Sequence, residues 1–408
     1  MKKRMFVCLA FLAVFTSSAL AQGDAERGGR IYALKCGRCH IAIAPAAYSL
    51  EGWKTILSDM GALASLDAAG EADIVAYLAQ AAGTPGLGLP TSPVLSGYFY
   101  TELFSAEDIV DTFDIHYLNF SLAGRVHPIV SYKVEFELEH GGAAANPPFV
   151  EQAYMDVRVH NSFNIRIGAF LTPFNRFDEF HGPLDNRLVT RPYVSREIGV
   201  SAWKDVGIDL HGNIQLGSRF FLQYNAYAIN GLGAGARLRG SRQYLDNNDA
   251  KSLGFRLSGV FNDRWEAGVS YYRGAWNTTG DMALTVAGLH LLGRLGDLGV
   301  FAEYARALSD NPIPYARGKA DGWFVQLDYR LGRKFRPVFR YDSLDYLDPG
   351  NALGRKPADL MASTAALGLD FFLTPSIVFK VEYDFVHEGS RKPQVDNDLL
   401  SLQAAVRF

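Results

Sequence analysis

A strict alternation of apolar and polar residues, repeated over long segments, is the feature that most constrains the fold of this chain. In segment 130–139 one face carries Val130, Tyr132, Val134, Phe136 and Leu138. The other face carries Ser131, Lys133, Glu135, Glu137 and Glu139. The same period recurs in 323–331, 335–342 and 377–385. Because successive side chains of a β-strand point to opposite faces, the pattern predicts strands with one aromatic and one charged face.

Three properties of these strands favour a transmembrane barrel over a soluble β-sandwich. The strands are longer than the usual strand of a globular protein. Their charged face suits a water-filled lumen, and their aromatic face suits a lipid-facing wall. The last strand, 400–408, ends in Phe408, which resembles the C-terminal assembly signature of bacterial outer-membrane barrels. Residues 95–408 therefore predict an all-β barrel of about sixteen antiparallel strands in the outer-membrane lipid.

Segment 172–203 interrupts the alternation and carries both signs of charge, His181 and several prolines. It is either an extracellular loop or a segment folded into the pore. Its amino-acid sequence loosely resembles a segment of phosphate- and anion-type porins. The chain has a net charge of −3 and no ladder of basic residues, so we do not infer anion selectivity.

The sequence offers little support for an enzyme or a nucleic-acid-binding protein. The glycines of 231–240 resemble a nucleotide fingerprint but lack its strand–helix context and its acidic residue. They are better interpreted as a loop between strands. No basic stripe is present, and nucleic acid is not expected as a partner.

The N-terminus has the features of a secretory signal. Residues 1–21 combine a basic start, a short apolar core that contains Cys8, and a small-residue cleavage site before Gln22. We expect residues 1–21 to be removed, and Cys8 with them.

The remaining two cysteines form the motif Cys36-x-x-Cys39-His40. A zinc site would need further ligands, and a redox dithiol would need a βαβ setting. A histidine directly after the second cysteine instead indicates c-type haem attachment. We expect one covalently bound haem c, with thioethers on Cys36 and Cys39 and with His40 as an axial iron ligand.

Met60 is the candidate for the second axial ligand. It is the methionine that lies between His40 and the end of the segment, and a thioether suits haem iron. The alternative is that Met60 fills space in an apolar core. Trp53 packs either against the haem edge or in an ordinary core.

Helical patterns dominate the segment around this motif. Residues 24–35, 49–60 and 66–82 predict three helices, with Asp24, Ser49 and Asp67 near their starts. We therefore expect a small all-α c-type cytochrome domain at 22–83, ahead of the barrel. Residues 84–94 are rich in glycine and proline and predict a linker.

A haem motif followed by a barrel resembles the fused outer-membrane cytochrome–porins. The resemblance rests on the signal segment, on Cys36, Cys39 and His40, and on the barrel with its terminal Phe408. It implies electron transfer across the outer membrane, with periplasmic electron carriers as partners and ferrous iron as one possible extracellular donor. Ferrous iron oxidase activity stays open, because the residues before Cys36 differ from those of iron-oxidising members.

Two positions of the haem segment are compatible with this resemblance. It lies either in the barrel lumen, as an electron conduit, or on the periplasmic side of a solute porin. In the second case it would be a tethered electron carrier, a sensor or a plug.

Overall fold

The computed structural model describes most of the barrel and parts of the segment before it. The described residues are 23–36, 50, 53–54, 56–57, 66–81, 93–107, 110–127, 129–142, 149–217, 219–235, 237–262, 264–351, 353, 356–389, 391 and 393–408. Cys39, His40 and Met60 lie outside the described residues, as does the predicted linker apart from its last two residues.

Sixteen strands form one closed antiparallel barrel in which each strand pairs with its neighbours in sequence. They are β1 Val94–Ser105, β2 Thr112–His127, β3 Val130–Glu139, β4 Phe149–His160, β5 Phe163–Leu171, β6 Lys204–Gln215, β7 Phe220–Ile229, β8 Ser252–Phe261, β9 Trp265–Ala275, β10 Ala283–Leu295, β11 Leu298–Ser309, β12 Gly318–Tyr329, β13 Phe335–Asp348, β14 Ala358–Thr374, β15 Ile377–Glu388 and β16 Leu399–Arg407. The strand number matches the number counted on the sequence.

The first and last strands close the ring. β1 pairs with β16 from Tyr98↔Arg407 to Ser105↔Leu400. Gly97 and Phe408 then exchange two backbone hydrogen bonds of 3.0 and 2.9 Å. A side chain at Gly97 would collide with the Phe408 ring, which in turn packs against Phe120. The terminal Phe408 therefore belongs to the closure of the barrel.

The two strand faces have the environments that the alternation predicts. Large apolar side chains on one face are exposed on the outside of the barrel, where lipid would lie; they include Phe136, Trp323, Phe339, Phe379, Val381 and Leu402. Charged side chains on the other face are buried inside; they include Glu135, Glu137, Asp328, Arg340, Lys380 and Glu382. The predicted assignment of lipid and lumen faces is confirmed.

The two ends of the barrel differ in their connections. At one end the strands are joined by short turns, such as the one between His160 and Phe163. At the other end the connections are long and include residues 172–203 and 230–251. Outer-membrane barrels place short turns in the periplasm and long loops outside the cell. We call these the turn end and the loop end.

Two α-helices with described bounds precede the barrel, and residues 50, 53–54 and 56–57 between them are also helical. The two helices are α1 Ala25–Lys35 and α2 Ala68–Ala81. The Asp24 side chain caps α1 by accepting from the backbone N–H groups of Glu26 and Arg27, both at 3.0 Å. Neither helix is long and apolar enough to cross a bilayer.

The two helices pack closely because Gly28 lets the backbone of α1 approach that of α2. A side chain at Gly28 would overlap the backbone of Asp73 on α2. Arg27 donates to both carboxylate oxygens of Asp73, which also accepts from the backbone N–H of Asp24 at 2.8 Å. The Arg27 guanidinium thereby holds the pKa of Asp73 below its usual range.

The prediction of a small all-α cytochrome domain ahead of the barrel is wrong as a description of this fold. The described residues before β1 form α1, α2 and a few further helical residues, and they bury one small apolar cluster of Tyr32, Trp53, Leu57, Ile74, Tyr77 and Leu78. So little apolar surface does not make a sizeable independent core. Several residues of this segment instead line a cavity together with the barrel interior. The fold is a sixteen-stranded barrel with a short helical segment at its turn end. We call the described residues within 23–81 the helical segment.

Candidate functional site in the barrel lumen

The connection between β5 and β6 folds into the lumen. We call residues 172–203 the inner loop. Its apolar side chains are almost fully buried, with Phe177, Leu184, Leu188 and Ile198 each at 2% exposure or less. Of the two positions predicted for this segment, the one inside the pore is correct.

One anchor of the inner loop lies on β15. The Glu382 carboxylate accepts hydrogen bonds from the backbone N–H groups of Val189 and Thr190 and from the Thr190 hydroxyl. Next to it, Lys380 Nζ donates to the backbone carbonyls of Asn186 at 2.6 Å and Leu188 at 3.2 Å. Both side chains are buried, so these charge-assisted bonds lie away from bulk water and hold the loop strongly.

Arg340 on β13 completes this anchor. It donates to the Thr190 carbonyl at 2.9 Å and to the Thr190 hydroxyl at 2.7 Å. Its Nε also donates to Asp342 at 2.9 Å. The Thr190 hydroxyl thus accepts from Arg340 and donates to Glu382, which links the loop to two strands at once.

A second anchor lies on β11, further round the barrel wall. Glu303 Oε1 accepts from the backbone N–H groups of Arg176 and Phe177, each at 2.7 Å. The Phe177 ring stacks on Phe301 at 6.0 Å and meets Phe324 edge-on at 5.8 Å. The inner loop is therefore fixed near its beginning and at its centre, and it narrows the lumen.

Charge in the inner loop is balanced. It carries four arginines and four carboxylates, and most of them are paired within the loop or with the wall. Arg176 contacts Glu179 and Glu266, and Arg187 contacts Asp328 at 2.9 Å. Balanced and paired charge does not create the single-sign field that would strongly select anions or cations.

A cavity lies between the inner loop and the helical segment, in the turn-end half of the lumen. It contains about 1580 Å³ of space not filled by atoms, its open mouth included. Its ceiling is the inner loop, through Arg176, Phe177, Phe180, Leu184 and Arg187. Its wall includes Phe221, Val260, Trp265, Leu292 and Phe301 near the turn-end termini of their strands. Its floor includes Tyr32, Cys36, Trp53, Ile56, Leu57 and Leu66.

Cys36 is the one predicted haem residue that the structure describes. It follows α1 directly, is half-buried and faces this cavity. Trp53 also lines the cavity and packs edge-on against Tyr32 at 5.7 Å. The predicted partners Cys39, His40 and Met60 are outside the described residues, so their positions stay predictions.

The anchors of the inner loop were not identified on the sequence as functional residues. Their alternation predicts that Arg340, Lys380 and Glu382 face the lumen. It does not predict which loop atoms they bind. Those partners lie far away in sequence, with Glu382 meeting Thr190, and arise from the way the loop enters the barrel.

Solved structures of outer-membrane porins resemble the barrel. A loop-deletion mutant of the outer membrane protein OmpT of Vibrio cholerae covers 78% of this chain and 99% of its own, at 16% identity and a TM-score of 0.56. OmpF of Salmonella typhi, solved in complex with daunomycin, covers 78% and 97% at 13% identity and a TM-score of 0.57. An anion-selective porin from Comamonas acidovorans covers 78% and 99% at 11% identity and a TM-score of 0.56. At these identities the likeness shows the fold.

Sequence comparison agrees with the fold. An uncharacterised protein of Aquifex aeolicus (strain VF5) is 33% identical over 109 residues, which are 26% of this chain and 24% of that protein. This match therefore spans about a quarter of the relative. The profile of the Gram-negative porins matches residues 9–390, most of the chain. With its closed barrel and inward-folded loop, the chain belongs to the Gram-negative porin family, and its barrel is an outer-membrane barrel.

Proposed function

We propose that this chain is a porin for small polar solutes whose passage is narrowed at two levels. The inner loop narrows the middle of the lumen, and the helical segment lies across its turn end. The balanced charge of the inner loop favours permeation that depends on size more than on the sign of charge.

The observation that carries this proposal is the anchoring of the inner loop to the wall at two separate places, on β11 and on β13 and β15. Glu303 holds its beginning, and Lys380, Arg340 and Glu382 hold its centre. A loop fixed in this way keeps a constant cross-section, as a passive size filter requires.

Liposome swelling tests the proposal. Proteoliposomes that contain the full-length protein should swell in small sugars or amino acids and resist larger oligosaccharides. Lys380→Met removes two bonds from a charged donor to loop carbonyls, each worth about 1.5–3 kcal/mol. It should raise the size limit, whereas Lys319→Met, at an exposed position, should not. Equal size limits for all three proteins, or no swelling with any solute, would refute the size-filter function.

A second candidate function is electron transfer through a haem held by the helical segment. The specific observation is that Cys36 of the Cys-x-x-Cys-His motif faces a cavity with aromatic walls inside the barrel. Arg187, Arg294 and Arg336 also line this cavity. A flat apolar macrocycle with two carboxylates fits such a combination of rings and guanidinium groups.

In this second candidate, Cys36 and Cys39 would hold haem c covalently, and His40 and Met60 would be the iron ligands. The bound haem would supply reversible one-electron transfer. The aromatic side chains of the cavity would exclude water, and the arginines would orient the carboxylates. Periplasmic electron carriers and an extracellular donor such as ferrous iron are the proposed partners.

Spectroscopy separates the two candidates. If haem is attached, purified protein should show a c-type spectrum that survives acid extraction, and Cys36→Ala should weaken the covalent attachment. Met60→Ala should remove a near-infrared sulfur–iron band while the haem stays bound. The control is to produce the protein in cells that can mature c-type cytochromes. If protein purified from such cells carries no covalent haem, electron transfer is excluded and the solute porin remains.

A further inference from the structure

Two histidines and two carboxylates meet at the loop end of the barrel. Glu102 lies near the end of β1, Asp114 and His116 lie near the start of β2, and His140 follows β3 directly. We propose that these four residues bind a divalent transition-metal ion such as Zn²⁺ at the outer rim of the barrel. This inference rests on neither the solute porin nor the haem.

The distances between the donor atoms suit a single ion. His116 Nδ1 lies 2.9 Å from Glu102 Oε2 and 3.5 Å from Asp114 Oδ2. His140 Nδ1 lies 2.6 Å from the same Asp114 oxygen. Ligand atoms at 2.0–2.1 Å from a tetrahedral Zn²⁺ are about 3.3 Å apart. The donor atoms of Asp114, His116 and His140 all lie within 4.8 Å of one another, so small side-chain shifts would place them around one ion, with Glu102 beside His116 as the fourth donor.

A β-bulge brings His116 to the cluster. In the β1–β2 ladder Tyr100 pairs with Tyr117, and Thr101 pairs with Ile115, so His116 has no residue opposite it. In a regular ladder that kept Tyr100 opposite Tyr117, Ile115 would lie opposite Glu102, and alternation would turn both Asp114 and His116 to the other face. Bulges often redirect a side chain towards a functional site.

The backbone at His140 is also unusual. His140 has a φ of 50°, in the left-handed region that residues other than glycine seldom adopt. Gly141 and Gly142 follow with φ of 69° and 74°, which glycine tolerates readily. This turn directs the His140 ring back towards Asp114 instead of onward with the loop. Strained backbone of this kind is commonly found at ligand sites.

Two of the donor atoms are buried without a hydrogen bond. The Glu102 side chain is only 3% exposed. Its Oε1 accepts from Gln403 at 2.7 Å, but Oε2 and the neighbouring His116 Nδ1 are not aligned to bond each other. Among the described residues neither atom has another hydrogen-bond partner. A buried polar atom without a partner is unfavourable, and a bound cation would satisfy both atoms at once.

The chemistry of the donors selects the type of ion. Imidazole nitrogen suits zinc and other late first-row metals, whereas Mg²⁺ and Ca²⁺ prefer sites built from oxygen. His116 and His140 remain partly exposed, at 28% and 42% of their side chains, so an ion can reach them. Once bound, the ion would tie β1 and β2 to the beginning of the β3–β4 connection.

Calorimetry with Zn²⁺ on tag-free, full-length protein in detergent tests the site. We expect about one equivalent to bind, with Zn absorption-edge spectra that show two imidazole nitrogens in a four-coordinate shell. His116→Ala and His140→Ala should each weaken binding by about 10–100-fold or more. His127→Ala should leave it unchanged, because His127 lies at the opposite end of β2.

His140→Ala keeps the test decisive if His116→Ala does not fold, because His140 lies outside the strands and its loss leaves the β1–β2 ladder intact. Excess Mg²⁺ should not displace Zn²⁺. The proposal is overturned if wild-type protein binds no Zn²⁺, if His140→Ala binds it as tightly as wild type, or if Mg²⁺ competes at similar concentration.

Discussion

The two halves of the lumen are closed in different ways. In the middle and towards the loop end, the inner loop is bound to the wall by buried charged side chains, among them Glu303, Arg340 and Glu382. In the turn-end half, aromatic and aliphatic side chains surround a cavity that the wall shares with the helical segment. The first closure is directional and polar, and the second is largely apolar.

The difference indicates that the two closures respond to different changes. Hydrogen bonds to buried charges fix a loop in one geometry, and removal of one partner leaves the other unsatisfied. An apolar cavity has no such directional requirement and tolerates a movable floor or an apolar occupant. We therefore expect the inner loop to set the minimum cross-section and the helical segment to control access from the turn end.

The largest effect is expected from removal of the helical segment. Deletion of residues 23–81 behind an intact signal segment should raise single-channel conductance severalfold, because the floor of the turn-end cavity is lost. The barrel should keep its heat-modifiable migration in gels, since residues 94–407 supply all sixteen strands. Unchanged conductance would mean that the turn-end half is already open in the full-length protein.

An intermediate effect is expected from loss of the polar anchor. Glu382→Ala leaves two loop N–H groups without an acceptor and removes a carboxylate near Arg340, at a cost of about 2–4 kcal/mol. Thermal unfolding of the barrel should begin at lower temperature, and conductance traces should fluctuate between levels.

Asp396→Ala is the control for that variant, because Asp396 is exposed in the loop between β15 and β16. If Glu382→Ala behaves like Asp396→Ala in both measurements, the inner loop does not depend on its polar anchor.

The smallest effect concerns the ion pair between Arg27 on α1 and Asp73 on α2, which we call the clasp. Arg27 keeps the pKa of Asp73 low, so this contribution to stability is present above the pKa of an unfolded Asp, about 3.9. It is lost as pH falls through the lower, folded value. Limited proteolysis should therefore cut within 23–81 faster in strong acid than at neutral pH.

Asp73→Asn should give the fast cleavage already at neutral pH, since an amide cannot form the charged pair with Arg27. Glu26→Gln removes an exposed pair with Arg30 and should change little. Equal cleavage of the Asp73→Asn and wild-type proteins at neutral pH would show that the clasp does not hold the helices.

The barrel could be predicted from the sequence because its physics is local. Each strand must turn one face to lipid and one to the lumen, so the alternation around Val381 and Glu382 gives both the strand and its orientation. The break in the alternation at 172–203 and the glycines of 231–240 indicated two of the connections between strands. The number of strands follows from counting such segments.

The helical segment and the outer rim could not be predicted in the same way. The periodicity of 23–83 indicates helices, but it does not show that their apolar residues face a cavity shared with the barrel. The prediction of an independent all-α domain was wrong because the periodicity does not reveal this shared cavity. Glu102, Asp114 and His140 lie on three different strands or turns, and the bulge at His116 has no marker in the sequence. Contacts that depend on register between distant segments need the structure.

The join between β1 and β16 has a consequence for how the chain reaches its folded state. Gly97 and Phe408 meet across almost the whole barrel sequence, so this contact can form only after the strands between them have assembled. Such long-range pairing makes folding slow. Until the ends meet, two unpaired strand edges flanked by Leu95, Phe99 and Leu402 remain available to any extended chain nearby. Insertion into the membrane and closure of the β1–β16 pair must therefore be faster than aggregation through these open edges.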